Sequence, residues 1–199
     1  MSIHWSDGAS AIAAVFSAIT AGIALFAADK ANKTANAVAR IERERWHAEL
    51  TPNFEMTLTE TGGGNARLHV YLRGPDPLRS LDQVTIKVDD DDNNRTILQA
   101  YVGGPTQEQI DSHVWGPWRF TPSSDHAGPD GRQVMSQPMD VGRGQPFSME
   151  RTRRGFWMGG MTDEAWRRQY ADHPIRLIFT CRRGDEQWVV AREVANPPL

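Results

Sequence analysis

Residues 9–28 (ASAIAAVFSAITAGIALFAA) run for twenty positions without a charge, and no other feature limits so sharply what this chain can fold into. As an α-helix rising about 1.5 Å per residue, the run reaches roughly 30 Å, the thickness of a bilayer's hydrocarbon core. Ile12, Val15, Phe16, Ile19, Ile23, Leu25 and Phe26 supply the drive to insert, together about 2–4 kcal/mol. Ser10, Ser17, Thr20 and Gly22 subtract from it. No Lys or Arg precedes the run, which is wrong for a cleaved secretory signal. Lys30, Lys33, Arg40, Arg43 and Arg45 follow it. The positive-inside rule therefore predicts a single-pass inner-membrane protein, with residues 1–8 outside, a span over 9–28 and the remainder in the cytoplasm.

A second solution exists for the same helix. Ile12, Phe16, Ile19, Ile23 and Phe26 follow a 4-3-4-3 spacing, the seam of a coiled coil. A soluble oligomer bundled through this segment would also bury that stripe. The remaining faces carry alanine and glycine in place of Glu, Lys or Gln, which favours lipid as the surrounding solvent. Ala14, Ala18 and Gly22 form a small-residue ladder along which two such helices could pack into a homo-oligomer. Neither Pro nor Gly occurs between Ala24 and Leu50, so residues 29–50 read as a helical stalk continuing from the span, with mixed charge over 40–45 and Pro52 as its stop.

Beyond Pro52 the apolar period changes from helical to two. Phe54, Met56 and Leu58 alternate with polar residues; a Gly62-Gly63-Gly64-Asn65 turn follows; then Leu68, Val70 and Leu72 alternate. Val84, Ile86 and Val88 predict a third strand, residues 97–102 its return, and residues 146–152 another. Ile175, Leu177, Phe179 and Cys181 lead through Arg183-Gly184-Asp185 into a strand over 188–194. Two helical insertions interrupt the strands. Thr106 with Gln109 makes a capping box, and Thr162 precedes Asp163 and Glu164 at the head of a second helix. Residues 122–131 (PSSDHAGPDG) read as a mobile loop. The fold expected for residues 51–199 is mainly β, an immunoglobulin-like antiparallel sandwich with two short helices, although the disulfide of that family has no counterpart.

Activity is harder to read. Cys181 is the single cysteine, which excludes a disulfide framework and a multi-cysteine zinc site. With 22 Lys and Arg against 25 Asp and Glu, the net charge of -3 argues against nucleic acid as a partner. No nucleophile elbow, phosphate loop, His-Glu-x-x-His or Cys-x-x-Cys occurs, and no cofactor is implied. The acidic run over residues 89–94 lacks the glycine and bidentate glutamate of an EF-hand and reads as a solvated turn. His113, His126, Asp125 and Ser124 share one loop region, and a hydrolase built on them is the alternative enzymatic reading. Arginines gather late, at 151, 153, 154, 167, 168, 182 and 183, while residues 82–112 carry seven acids against two bases, so the domain is electrically polarised.

The most distinctive side chains are five aromatics and a methionine: Trp115, Trp118, Phe156, Trp157, Met158 and Trp166. Trp and Met make adaptable recognition surfaces, and these six are the candidate partner-binding residues. The same residues would serve equally as a satellite core that fastens the two helical insertions to the sandwich. Taken together, the GGPTQEQIDSHVWGPWRFTP, ERTRRGFWMGGMTDEAWRRQY and RLIFTCRRGDEQWVV blocks behind a short apolar N-terminus resemble a group of actinobacterial proteins without an assigned activity. That resemblance implies a bacterial, membrane-tethered protein and carries over no catalytic residue. The expected function is that of a tethered adaptor, held by the lipid bilayer and offering its sandwich to a protein partner.

Overall fold

The computed structural model of the chain describes residues 30, 33, 35–91, 93, 95 and 104–198. The expected span over 9–28, its ladder of Ala14, Ala18 and Gly22, and the strand read at 97–102 lie outside the described residues. Among those described, no helix is long and apolar enough to cross a membrane. The chain divides into two compact units, Met1–Glu49 and Leu50–Leu199.

In the first unit residues 35–49 form helix α1. It is solvated almost throughout, and Val38, Ile41 and Trp46 are among its exposed side chains. Arg45 Nε donates to Glu49 at 2.8 Å and Arg40 Nε lies 3.7 Å from Glu44, the one-turn spacing that supports a solvated helix.

The second unit is a sandwich of two four-stranded antiparallel sheets. Its strands are β1 (Asn53–Gly62), β2 (Asn65–Gly74), β3 (Ser80–Val88), β4 (Trp118–Phe120), β5 (Gln133–Asp140), β6 (Gly144–Arg151), β7 (Ile175–Arg183) and β8 (Glu186–Val194). One sheet runs β1-β2-β6-β4 and the other β5-β3-β7-β8. Two short helices interrupt the chain, α2 (Gln107–Ser112) and α3 (Asp163–Gln169).

Alternation decides which face each strand buries. Ala66, Leu68, Val70 and Leu72 of β2 point inward, as do Ile175, Leu177, Phe179 and Cys181 of β7, while their neighbours face out. Phe54 stacks on Phe179 across the two sheets at 4.2 Å between ring centroids, and Phe120 meets Phe147 edge-on at 6.0 Å. The β1–β2 turn is Gly63-Gly64, with φ of 64° and 80°. Such left-handed pairs match the twist of a two-residue hairpin and explain the glycines.

Two strands went unforeseen in the sequence. β4 has three residues and pairs only with the end of β6 (Trp118↔Arg151, Phe120↔Met149), which leaves Pro146 of β6 beyond its reach and under no demand to donate. β5 is an edge strand whose register against β3 shifts twice, so its buried residues Val134 and Met139 lie five apart and Pro138 is tolerated.

The segment over residues 122–131 is not the loose loop its composition predicts. Ser124 N donates to Thr121 O, Ala127 N to Ser124 O and Gly131 N to Gly128 O, at 3.1, 2.8 and 3.0 Å. Gly128 N and Met135 N tie it to β5, both at 2.9 Å through Gln133 O and His126 O. Gly131 has φ of 69°, and a Cβ there would stand 2.2 Å from the Phe120 carbonyl oxygen. Only glycine closes this turn against β4.

Candidate functional site

Both helical insertions begin where the sequence marks them. Thr106 Oγ1 accepts from Gln109 N at 3.2 Å while Gln109 Oε1 accepts from Thr106 N at 2.9 Å, a reciprocal capping box. Thr162 Oγ1 accepts from Ala165 N at 3.1 Å. Each helix is under two turns long and gains its hold from what it buries. Ile110 of α2 and Trp166 of α3 meet Trp115 and Tyr170 in an apolar cluster separate from the sandwich core, with Trp157, Met158 and Met161 packed around it.

A polar hub fixes the underside of that cluster. Asp90 accepts from Trp115 N at 2.9 Å and from Arg132 Nη1 at 2.8 Å. Arg132 Nη2 donates to the carbonyls of Asp111 and His113, which clamps the end of α2. Asp91 takes a two-pronged contact from Arg95 and a 2.8 Å hydrogen bond from Tyr170 Oη. Burial works to raise the Asp91 carboxyl, but the hydrogen bonds from Arg95, Tyr170 and Asn93 outweigh it and hold it below its ordinary value. Arg95 also lies 3.9 Å above the Trp115 ring, a cation–π contact. These two aspartates are therefore internal anchors, and the sequence reading of the acidic run as a solvated turn does not hold for them.

Above the cluster runs the segment that carries Phe156, Trp157 and Met158. Its base is Thr152, whose hydroxyl donates to Gly116 O and accepts from Trp166 Nε1 at 2.9 Å. Two tight turns follow, Met158 N to Gly155 O and Met161 N to Met158 O, each at 3.0 Å, and Arg154 Nη1 adds a 3.2 Å bond to Met158 O. The Trp157 ring lies over Gly155, where a Cβ would stand 2.6 Å from it. Phe156 projects outward, 68% exposed, with its ring edge-on to Trp157 at 5.0 Å.

His113 closes the floor beside this loop. Its ring meets Trp115, Trp166 and Trp157 edge-on at 4.7, 5.4 and 5.5 Å, and its Nε2 is buried with no hydrogen-bond partner. Burial first, and then the charges of Arg119, Arg132 and Arg95 against the opposing Asp90, hold His113 down at about 4, so the imidazole is neutral at pH 7. Together with Arg119, Arg153, Arg154, Phe156 and Trp157 it lines a cleft of about 260 Å³.

The six candidates, five aromatics and Met158, thus divide by depth. Trp118 is fully enclosed in the sandwich core, with Nε1 donating to Asn196 Oδ1 at 2.8 Å and Arg151 stacked 4.5 Å above its ring. Trp166 and Trp115 are buried in the satellite cluster. Trp157 and Met158 are half-buried, and Phe156 stands in solvent. Sequence reasoning missed Arg132 and Thr152, which position the floor and the base of the loop, and Arg119, which lines the cleft.

Two residues of the hydrolytic reading have other surroundings, His113 among the tryptophans and Asp125 on a backbone amide. Asp125 accepts from Ser148 N at 2.6 Å, and Ser123, Asp125 and His126 adopt left-handed backbone in the turn described above. Among the described residues, no hydrogen bond joins the side chains of His113, Ser124, Asp125 and His126. No three His, Cys, Asp or Glu among the described residues gather as a metal site requires. No protein-family model, curated protein or solved structure matches the chain.

Proposed function

We propose that the chain is a tethered binding module, in which the sandwich offers the Phe156-Trp157-Met158 loop to a protein partner. The observation that carries this reading is the contrast between the 68% exposure of Phe156 and the rigidity of what holds it. Exposed aromatics on preorganised loops are the usual energetic centres of protein interfaces, because little conformational entropy remains to be lost on docking. Trp115 and Trp166 serve the surface from beneath, through Thr152 and the cluster that supports Trp157, while Trp118 belongs to the sandwich core.

An immunoglobulin-like arrangement belongs to the same proposal. With β1, β2 and β6 as strands A, B and E, and β3, β7 and β8 as C, F and G, the sheet orders match that architecture. β4 and β5 take the two edge positions that remain, but the chain visits them in the opposite order. The uncharged run over 9–28 and the basic residues behind it support an inner-membrane tether with the sandwich in the cytoplasm. Ala14, Ala18 and Gly22 would then bring two copies together within the bilayer.

The test is photo-crosslinking in intact bacterial cells. p-Benzoylphenylalanine at position 156 gives a discrete protein adduct, whereas at Val189, which is 65% exposed on β8, it does not. Identical adduct patterns from both positions, or none from either, refute the proposal. Sedimentation of full-length protein without detergent checks the tether; material that stays in the supernatant refutes it.

A further inference from the structure

The cleft beside Phe156 and Trp157 has an electrostatic character that apolar docking alone does not explain. Its lining contributes three guanidinium groups, from Arg119, Arg153 and Arg154, and no carboxylate. Arg119 gives Nε and Nη2 to one oxygen of Glu150, at 2.8 and 2.6 Å, and so is neutralised. Arg154 is compensated only loosely: Asp163 lies 3.7 Å from its Nε, a buried atom without a hydrogen-bond partner. Arg153 is exposed, and among the described residues it has neither hydrogen bond nor ion pair. The balance of charge at the cleft is therefore positive.

Guanidinium groups recognise carboxylates and phosphates through paired, charge-assisted hydrogen bonds, and aromatic walls cover an apolar neighbour. At about 260 Å³ the cleft is somewhat smaller than sites for drug-sized ligands, which occupy about 300–1,000 Å³. It suits one side chain of a peptide. A larger cleft of about 400 Å³ near Tyr170 has no such bias, because Asp89, Asp91 and Glu193 share its lining with Arg176.

We propose that this cleft is an oxyanion subsite for the docking partner: a peptide side chain bearing a carboxylate or phosphate enters toward Arg153 and Arg154, while an apolar group beside it packs on Phe156 and Trp157. The assignment rests on the reading of this loop as the docking surface. Arg153 supplies the uncommitted charge. Arg154 keeps its Nη1 bond to Met158 O and offers the rest of its guanidinium to the incoming anion.

The experiment follows the indole N–H resonance of Trp157 in the full-length chain, assigned through Trp157→Phe, during titration with small probes. Phenyl phosphate and phenylacetate are the phosphate and carboxylate arms; benzyl alcohol and inorganic phosphate are the controls. At least one of the two arms should shift the resonance saturably, and Arg153→Ala should weaken that binding at least tenfold. Arg153 is exposed and, among the described residues, makes no contact that the fold relies on, so this variant folds; Arg154→Gln gives a second, independent loss. Benzyl alcohol binding as tightly as phenyl phosphate would overturn the oxyanion assignment, and so would equal affinity in Arg153→Ala. Inorganic phosphate binding as tightly as phenyl phosphate would overturn the aromatic half. Dihexanoyl phosphatidic acid binding more tightly than either arm would make the occupant a lipid headgroup and overturn the peptide assignment. Crosslinking at position 156 without saturable probe binding leaves the docking surface standing and rejects the subsite alone.

Discussion

His113 makes acid stability measurable at a single ring. The unfolded chain protonates it near 6.5, whereas the folded protein holds it down at about 4 through burial and the charge of Arg119. The neutral ring therefore favours the native state fully above pH 6.5, and this contribution is lost as pH falls through the interval to about 4, where the unfolded chain alone binds the proton. At about 1.4 kcal/mol per pH unit the interval caps the effect at roughly 3 kcal/mol, and solvent around a half-buried ring reduces it to about 2 kcal/mol. Urea denaturation at pH 7.5, 6.0, 5.0 and 4.5 should give a stability that declines by about that amount more in the wild-type chain than in His113→Phe. Phenylalanine keeps the edge contacts with the three tryptophans and has no proton to take up. Every other charged group is common to both proteins, so the difference isolates the ring at position 113. Parallel decline in the two proteins, within about 0.5 kcal/mol, would refute the placement of His113.

Other perturbations separate the surface from its support. Trp118→Ala should cost about 3–5 kcal/mol by urea denaturation, because it empties the core and orphans Asn196 Oδ1; Phe156→Ala should stay within about 0.5 kcal/mol of wild type. Gly155→Ala should displace Trp157, seen as movement of its indole resonance, at a cost of about 1–3 kcal/mol, since the new Cβ would meet that ring at 2.6 Å. Asp91→Ala strips Arg95 and Tyr170 of their shared partner and should cost about 3 kcal/mol. The Cys181 thiol, which burial has pushed up to about 12, should resist Ellman's reagent at pH 8 until the chain is denatured.

How legible this architecture was depends on how regularly each strand alternates, which β1 and β8 do even at the sheet edges. β2 and β7 lie inside their sheets, and their two-residue alternation is clean because register errors there would turn every apolar residue outward. The glycine turns between β1 and β2 and between β7 and β8 were equally plain, with Gly184 at φ of 56°. β4 is too short to show a period, and β5 relaxes its alternation through bulges that an edge permits. The site was legible only in its composition. Trp118 and Trp157 sit in similar aromatic runs, yet one is enclosed and the other half-open, a distinction made by strand pairing and by Gly155. Asp90 and Asp91 looked like turn residues because their partners Arg132 and Tyr170 lie 42 and 79 positions further along the chain.

The side chain of Asn196 has a consequence for how this domain can be handled. Its Oδ1 accepts from Trp118 Nε1 at 2.8 Å while its Nδ2 donates to the carbonyls of Tyr170 and Ala171, each at 2.9 Å. One amide thus buckles β4, the tail of α3 and the segment after β8 into a single clasp. Any truncation that removes Asn196 would undo that clasp and slacken the aromatic loop from behind, so shortened forms of the domain must keep this residue.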